Sequence, residues 1–314
     1  MKRYEKNPII SRLNIVSELP ELKDVSSVFN PGAVIFENKV VLLLRVQNRG
    51  RETLLVKAIS ADGYNFTVSS KPVIIKGLTE SAERKIYHVY DPRITQIQGK
   101  FYILCAIDTS QGCFLGLFTT SDFDTLDFID YVSEPDVRNG VLFPELINGY
   151  FYRLERPNQH VLANGTKTGS TIIVSRSIDL IKWEKVSDLF SGRPHYWDEL
   201  IGSGPPPLKT KNGWLHIYHG VATHFASANI YQAGYSLLDL ENPENVLDRG
   251  KYNILEPREL YELTGQVPNV VFPSGMVSFD YDNEGFLKDD AKILIYYGAA
   301  DTVVSVAEFC LKNR

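Results

Sequence analysis

The chain has 314 residues, of which 44% are hydrophobic and 23% charged, with 38 acidic and 33 basic side chains and a formal net charge of −5. This slight acidity, without any lysine or arginine run, argues against nucleic acid or an anionic membrane as the main partner. The amino-terminal segment lacks the apolar stretch of a secretory signal, and no run approaches about 18 apolar residues, so we expect a cytoplasmic protein.

Five β-type runs follow one another along the chain, each opened by a turn rich in Gly, Asn or Lys. The runs begin at Asn38, Gly99, Asn148, Asn212 and Lys292. A second element with a proline lies just ahead of each run, at Pro31, Pro92, Pro144, Pro205 and Pro273. A period of this size with several strands per unit is typical of a propeller built from blades.

Aspartate-rich segments follow four of these runs and predict tight turns near the outer edge of each unit, because Asp side chains bond to nearby backbone groups. These segments are SADGYNF, TSDFDTLDF, SRSIDLIKW and SLLDLENPENV. The span around Arg258–Gly265 is expected to form a short helix or a loop. The tail after Asp301, TVVSVAEF, has strand character, and we expect it to close the ring by joining the first blade.

The predicted fold is therefore all-β: residues 1–314 form a single domain, a five-bladed β-propeller. An irregular β-sandwich is the alternative. In a propeller the proline-marked strands would be innermost, and polar residues beside the prolines would face one central site. Those residues are Asn30, Asp91, Arg93 and Glu145, and their convergence favours a carbohydrate or small-molecule pocket.

Asp91, in the segment VYDPRI, is the strongest catalytic candidate, because an Asp before Pro is held extended on an inner strand. A simple turn-forming Asp is the alternative interpretation. Arg138, Arg156 and His219 come from successive repeats and could clamp a dianion, since guanidinium matches phosphate oxygens. Arg156 could equally pair with Glu155 or Glu145, and a lone histidine is more often a core residue.

Further candidates carry less chemistry. A carboxylate in the run Trp197, Asp198 and Glu199 could face the same site and orient a water molecule. The alternative is an acidic residue in a loop without a catalytic role. Asp301 could accept hydrogen bonds from sugar hydroxyls. The segment GSGPPP lacks the Lys-Ser/Thr of a phosphate loop, and no nucleophile elbow supports serine catalysis.

Cysteine and histidine usage points to no metal and no cofactor. The three cysteines are Cys105, Cys113 and Cys310, an odd number without zinc spacing, and Cys105 is predicted to be a buried thiol. The spacing of His216, His219 and His224 is a weak signal for a metal.

Six ordered motifs between Asn30 and Thr302 resemble glycoside hydrolase family 130. They are VFNPGAV, YDPRI, VLFPE with INGYFYRLERP, IGSGPPPLKT with NGWLHIYHGV, VPNVVFPSG and YYGAADT. The resemblance implies a five-bladed β-propeller, in agreement with the repeat count. Most members of that family are mannoside phosphorylases, which cleave a terminal β-mannosidic bond with inorganic phosphate and invert the anomeric centre to release α-mannose 1-phosphate.

The resemblance also implies roles for individual residues. Asp91 would be the acid, acting directly or through a sugar hydroxyl. Arg138, Arg156 and His219 would bind phosphate as co-substrate. The mannoside would be held by Asn30, Arg45, Tyr90 and Asp301.

One departure from the family pattern bears on the reaction. A lysine usually precedes IG-GPPP in the phosphorylases, and here that position is Leu200. Other members are hydrolases, in which glutamates support an attacking water, and Glu199 would then be the base. Because Arg138, Arg156 and His219 have no obvious use in a hydrolase, the sequence favours phosphorolysis.

Two other functions stay open, a non-catalytic sugar-binding propeller and an arabinanase-type propeller, although no trio of inner-strand acids supports the latter. The linkage, β-1,2 or β-1,4, is not determined by the sequence. Assembly of identical subunits is also open, since homo-oligomers are common.

Overall fold

The computed structural model describes residues 1–161, 165, 167–224 and 228–310, and they form the five blades of a β-propeller. The sequence prediction of the fold class is confirmed. No helix in these ranges is long and apolar enough to cross a bilayer.

The chain enters the propeller through a short segment whose strand joins the last blade and whose two helical turns contact blade 1. This segment comprises β1 (Lys2–Arg3), a 3₁₀ helix (Arg12–Asn14) and α1 (Pro20–Lys23). Blade 1 follows, with β2 (Val25–Phe36), β3 (Lys39–Asn48), β4 (Thr53–Ser60) and β5 (Thr67–Pro72). Blade 2 contains β6 (Ile74–Lys76), β7 (Ile86–Ile97), β8 (Lys100–Thr109), β9 (Gly112–Thr120) and β10 (Thr125–Tyr131).

Blade 3 carries a small hairpin inserted between its second and third strands. Its strands are β11 (Val137–Leu142), β12 (Phe151–Pro157), the hairpin β13 (His160–Val161) and β14 (Lys167–Thr168), then β15 (Thr171–Ser177) and β16 (Glu184–Ser191). Blade 4 contains β17 (Leu200–Ser203), β18 (Leu208–Thr210), β19 (Gly213–Ala222), β20 (Ile230–Leu238) and β21 (Val246–Arg249). Helix α2 (Leu260–Leu263) and blade 5 complete the fold, with β22 (Val271–Val277), β23 (Lys292–Ala299) and β24 (Val303–Cys310).

Strand β3, the second strand of blade 1, is apolar on both faces because each face packs against a neighbouring blade. Leu42 and Leu43 of β3 show this, since successive side chains of a strand point to opposite faces. Leu42 belongs to a core cluster with Tyr296 of blade 5, and Leu43 belongs to one with Ile103 of blade 2. The continuous apolar runs of the sequence are therefore the middles of blades.

The proline-marked strands are innermost, as predicted. Strand β2 packs against both β7 and β22, and β11 packs against β7 and β17. Prolines are tolerated there because the inner strand is an edge strand of its blade. The approach is close: a Cβ on Gly275 would lie 2.6 Å from the Ala33 Cβ, so only glycine fits at that point of β22.

The predicted aspartate turns are present between the third and fourth strands of blades 1 to 4. The Oδ1 atom of Asp122, for example, accepts hydrogen bonds from the backbone N–H groups of Asp124 and Thr125 at 2.9 Å each. Asp62, Asp179 and Asp239 each accept two backbone hydrogen bonds in the same way. The helical alternative is the correct one for the span Arg258–Gly265.

The prediction for ring closure was wrong. The tail strand β24 does not join blade 1; it pairs with β23 as the third strand of blade 5, and its free edge takes the amino-terminal strand β1. A two-residue strand carries too little periodicity to be recognised in the sequence. Side chains secure this closure: Arg3 Nε donates to Glu262 Oε1 at 2.7 Å, and Tyr297 donates to the same oxygen at 2.9 Å.

The closure contact predicts a stability effect. Glu262 is fully buried and Arg3 is 22% exposed, so Arg3→Ala leaves a buried carboxylate without its cation. We expect the free energy of unfolding to fall by about 2 kcal/mol, measured by urea denaturation. Arg49→Ala, which breaks the exposed pair with Asp24, is the control and should cost less than about 1 kcal/mol. Equal losses for the two variants would contradict the role of Arg3 in closure.

Candidate active site

Three inner strands carry a β-bulge at the same level, and each bulge holds a polar residue in the left-handed conformation. The pairing register breaks between Phe29 and Gly32 in β2, between Tyr90 and Arg93 in β7, and between Arg138 and Val141 in β11. The residues concerned are Asn30 (φ 45°), Asp91 (φ 52°) and Asn139 (φ 55°). The prediction that Asp91 is held extended before Pro92 was therefore wrong. Bulges redirect side chains, and here they direct three of them toward the propeller axis.

The three side chains open into a pocket of about 470 Å³ at one mouth of the central channel. All eight residues predicted to act as acid or to bind phosphate or mannoside line this pocket. They are Asp91, Arg138, Arg156, His219, Asn30, Arg45, Tyr90 and Asp301. The structure therefore brings together residues from all five blades.

Asp91 is held by one of its two carboxylate oxygens. Asn30 Nδ2 donates to Asp91 Oδ1 at 3.1 Å, and Arg45 Nη1 donates to the same oxygen at 3.0 Å. The guanidinium of Arg45 lies between the rings of Phe29 and Tyr90, 4.5 Å and 4.4 Å from their centroids. No hydrogen bond from the described residues reaches Oδ2, so this oxygen remains available to a substrate.

The cationic side of the pocket contains two arginines with different partners, Arg138, which is 29% exposed, and the buried Arg156. Arg138 Nη2 donates to Asp108 Oδ1 at 3.2 Å, and the Tyr90 hydroxyl donates to the same oxygen at 3.0 Å. Arg156 is 6% exposed, and its Nη2 donates to the neutral Asn158 Oδ1 at 2.7 Å. The alternative that Arg156 pairs with Glu155 or Glu145 is wrong, because those carboxylates pair with Arg153 and Lys209.

Arg156 lacks a counter-ion, since none of the ion pairs between described residues includes it. Burial lowers its pKa to about 10, and the charge of Arg138 acts in the same direction. The Nε atoms of both arginines are buried without a hydrogen-bond partner in the described part of the chain. A buried cation without an anion is costly, so this end of the pocket is suited to receive one.

His219 is buried at 1% exposure and stacks on Phe272, with ring centroids 4.6 Å apart. Burial, together with the charges of Arg156 and Arg93, holds the pKa of His219 well below its usual range. The imidazole is therefore neutral at pH 7 and offers one N–H donor rather than a positive charge.

Asp301 follows β23 and has positive φ (49°). Burial raises its pKa to about 6; Arg45 opposes this increase and the nearby Asp91 carboxylate adds to it. Asp301 lies in the lining of the pocket, and the prediction that it binds sugar hydroxyls stays a prediction.

Two residues predicted to face the site do not line this pocket. Arg93 is buried below it, where its Nε donates to the Gly204 carbonyl oxygen at 2.7 Å. Glu145 lies at the opposite mouth of the channel, in a separate pocket of about 300 Å³, and pairs with Lys209. Both residues follow their prolines, so they lie farther along the inner strand, toward the other mouth.

The acids of the WDE segment also lie outside the pocket lining. Asp198 is fully buried and pairs with Arg193 and Arg249, which is a structural role. Glu199 accepts a hydrogen bond from the Thr223 hydroxyl. Leu200 is 8% exposed and pairs in register with Val221.

Sequence reasoning missed several residues that line the pocket. They are Asp108, Asn139, Lys167, Thr168, Asn229, Tyr231 and Phe272. Asn139 follows Arg138 directly and could have been found as the third polar bulge residue. Phe272 directly precedes Pro273 on the inner strand β22 and could have been found in the same way. The others lie away from the prolines, on second or third strands, in the β14 hairpin or in a connection. No group of three or more His, Cys, Asp or Glu suited to a metal occurs among the described residues.

Comparisons with known proteins match the chain over nearly its whole length. A family model described as beta-1,4-mannooligosaccharide phosphorylase matches residues 1–313. The chain is 30% identical to a β-1,4-mannooligosaccharide phosphorylase of Ruminococcus albus, over 97% of this chain and 87% of that protein. It is 33% identical to a β-1,2-mannobiose phosphorylase of Thermoanaerobacter sp., over 95% of each. The structure of a β-1,2-mannobiose phosphorylase from Listeria innocua with β-1,2-mannobiose superposes with a TM-score of 0.82 at 28% identity, covering 99% of this chain and 97% of that one.

The raised pKa of Asp301 predicts a pH dependence of stability. The native state holds the proton up to about pH 6, whereas the unfolded chain loses it near pH 3.8, so this contribution is present below pH 3.8 and is lost as pH rises through 6. Asp301→Asn removes the titration. We expect the stability of the variant relative to the native protein to rise by about 2 kcal/mol between pH 4 and pH 7, measured by chemical denaturation.

The control for this measurement is Asp289→Asn, which alters an exposed carboxylate. Its stability difference from the native protein should be nearly the same at both pH values. Parallel curves for the native protein and Asp301→Asn would show that burial does not raise the pKa of Asp301.

Proposed function

The chain belongs to glycoside hydrolase family 130, an enzyme family whose members include the phosphorylases named above, and we propose that it is an inverting β-mannoside phosphorylase. In this proposal it cleaves a terminal β-mannosidic bond with inorganic phosphate and releases α-mannose 1-phosphate. The β-1,2 and β-1,4 linkages are both candidates, since relatives of both kinds are similar to this chain.

One observation carries the proposal: Arg156 is buried without a counter-ion beside Arg138, in the same pocket as Asp91. Guanidinium groups bind phosphate through charge-assisted hydrogen bonds, and a bound dianion would supply the missing negative charge. A neutral sugar alone would leave Arg156 uncompensated.

The proposed reaction divides the pocket into two ends. Asp301 and Tyr90, which both line the pocket, hold the mannosyl unit near Asp91. Asp91 donates a proton from Oδ2 toward the departing oxygen, directly or through a sugar hydroxyl, while Asn30 and Arg45 hold Oδ1 in place. Phosphate held by Arg138, Arg156 and the neutral His219 attacks the anomeric carbon from the opposite face, which inverts its configuration.

Hydrolysis is the competing reaction, and the geometry favours it less. An inverting hydrolase needs a second carboxylate about 6.5–9.5 Å from the acid, with room for water. Glu199, the predicted base, bonds to Thr223 and does not line the pocket. Asp108 is already bonded to Tyr90 and Arg138.

We predict that cleavage of the mannoside strictly requires inorganic phosphate. With β-1,2- or β-1,4-mannobiose, mannose 1-phosphate should form only when inorganic phosphate is present, as measured by a coupled assay or by chromatography. Release of free mannose at the same rate without phosphate would establish hydrolysis and make Glu199 the residue to test. Mannobiose binding in calorimetry without any product would indicate a sugar-binding module.

A further prediction concerns the proposed role of Asp91 as the acid. Asp91→Asn keeps the size and shape of the side chain, and its hydrogen bonds with Asn30 or Arg45 can rearrange. The carboxyl group that donates the proton is lost. We expect turnover to fall by about 10²- to 10⁴-fold. Phosphate binding and the melting temperature should stay close to those of the native protein. Native turnover in this variant would rule out Asp91 as the acid.

A further inference from the structure

Lys167 of β14 lies at the cationic end of the pocket, in the hairpin that follows the strand of Arg156. It is the only lysine among the described residues that line the pocket. Its neighbour Thr168 is 7% exposed and lines the pocket as well. A side chain on Gly169 would overlap the Pro157 carbonyl oxygen and come within 3.1 Å of the Arg156 Cγ, so the backbone here packs directly on Arg156.

The ammonium group of Lys167 lies near the start of the Arg138 strand and the end of the Arg156 strand. Lys167 Nζ donates to Asp136 Oδ2 at 2.5 Å, and Asp136 precedes Arg138 by two residues. The Asp136 carbonyl oxygen accepts the Asn158 N–H at 2.7 Å, and Asn158 in turn accepts the hydrogen bond from Arg156. This arrangement joins Lys167, Arg138 and Arg156 at one wall of the pocket.

The charged side chains that line the pocket give that wall an excess of positive charge, which favours an anion there. Two of the three carboxylates have arginine partners: Asp91 pairs with Arg45, and Asp108 pairs with Arg138. The remaining cations are Arg156, which has no counter-ion among the described residues, and Lys167, whose partner Asp136 does not line the pocket. A phosphate near pH 7 carries between one and two negative charges, more than one guanidinium neutralises.

We propose that Lys167 binds the attacking phosphate and supplies the positive charge that Leu200 does not provide; this inference rests on the phosphorolysis proposed above. The pair with Asp136 does not prevent this role. Its two side chains are 50% and 32% exposed, so the pair contributes little stability. An ammonium group has three donors and can bond to Asp136 and to phosphate together.

The test replaces the charge and keeps the length of the side chain. Lys167→Met should raise the KM for phosphate about tenfold, as expected for the loss of one charge-assisted hydrogen bond. The KM for mannobiose and kcat at saturating phosphate should change less than about twofold. In the synthetic direction, the KM for α-mannose 1-phosphate should rise while that for the acceptor sugar does not. Lys167→Arg should recover most of the phosphate affinity.

Two variants serve as references. Lys185→Met is the matched control, because Lys185 lies on outer strand β16 of the same blade, is 54% exposed and is also ion-paired, with Asp188. Its kinetics should equal those of the native enzyme. Arg156→Met should raise the KM for phosphate at least as much as Lys167→Met does. The melting temperature of each variant shows whether it is folded.

Direct titration with inorganic phosphate separates this inference from the proposed function. If the native protein binds phosphate but forms no mannose 1-phosphate, phosphorolysis is wrong, and the dissociation constant of Lys167→Met still decides the role of Lys167. If the product forms and Lys167→Met behaves as Lys185→Met does, the inference is overturned. If the native protein does not bind phosphate, both proposals are wrong.

Discussion

The active pocket depends on the left-handed conformation of one residue in each of three inner strands. In a regular strand, side chains alternate between the two faces of a blade, and both faces are filled by neighbouring blades. The bulges at Asn30, Asp91 and Asn139 add one residue and turn its side chain toward the axis. Asn and Asp tolerate this conformation better than other non-glycine residues. The Asn30 side chain, once turned toward the axis, also needs space on blade 5: a side chain on Gly298 would overlap Asn30 Oδ1. The polar site is therefore a consequence of backbone geometry at the propeller axis.

Electrostatics then divides this one pocket into two environments. On one side, the carboxyl groups of Asp91 and Asp301 lie close enough for the charge of the first to raise the pKa of the second, and Arg45 moderates the pair. On the other side, Arg156 has no counter-ion and its charge helps to keep His219 neutral. A neutral sugar and an anion are suited to opposite sides of such a pocket. This separation supports a displacement in which nucleophile and acid act from opposite faces of the sugar ring.

The sequence predicted the fold and most of the pocket because prolines and turn residues mark the repeat directly. Asp91 was recognisable from the proline that follows it, and the roles of Arg138, Arg156 and His219 followed from the family resemblance. The expectation that these three residues come from successive repeats was wrong for the two arginines, since both lie in blade 3 and face each other in register across β11 and β12. Glu145 was misplaced because its sequence position beside a proline does not reveal which mouth of the channel it faces; being on the far side of Pro144, it lies at the other mouth. Lys167 was missed because it lies in a hairpin with two-residue strands, where no periodicity marks the fold. Closure by β1 was missed for the same reason.

Binding a phosphate and transferring a proton require different precision in the position of the residues involved. This difference explains how Leu200 is compatible with phosphorolysis. Proton transfer requires the acid within hydrogen-bond reach of the reacting oxygen, so Asp91 must be held by a rigid bulge and by fixed partners. An ammonium group acts on phosphate as a point charge with rotatable donors, so the direction from which it approaches is less restricted. Strand β17 of blade 4 carries Leu200, whereas the hairpin of blade 3 carries Lys167 in the lining of the pocket that also contains Arg156. In the proposed reaction Lys167 therefore supplies from blade 3 the charge that Leu200 lacks, whereas Asp91 has no such freedom of position.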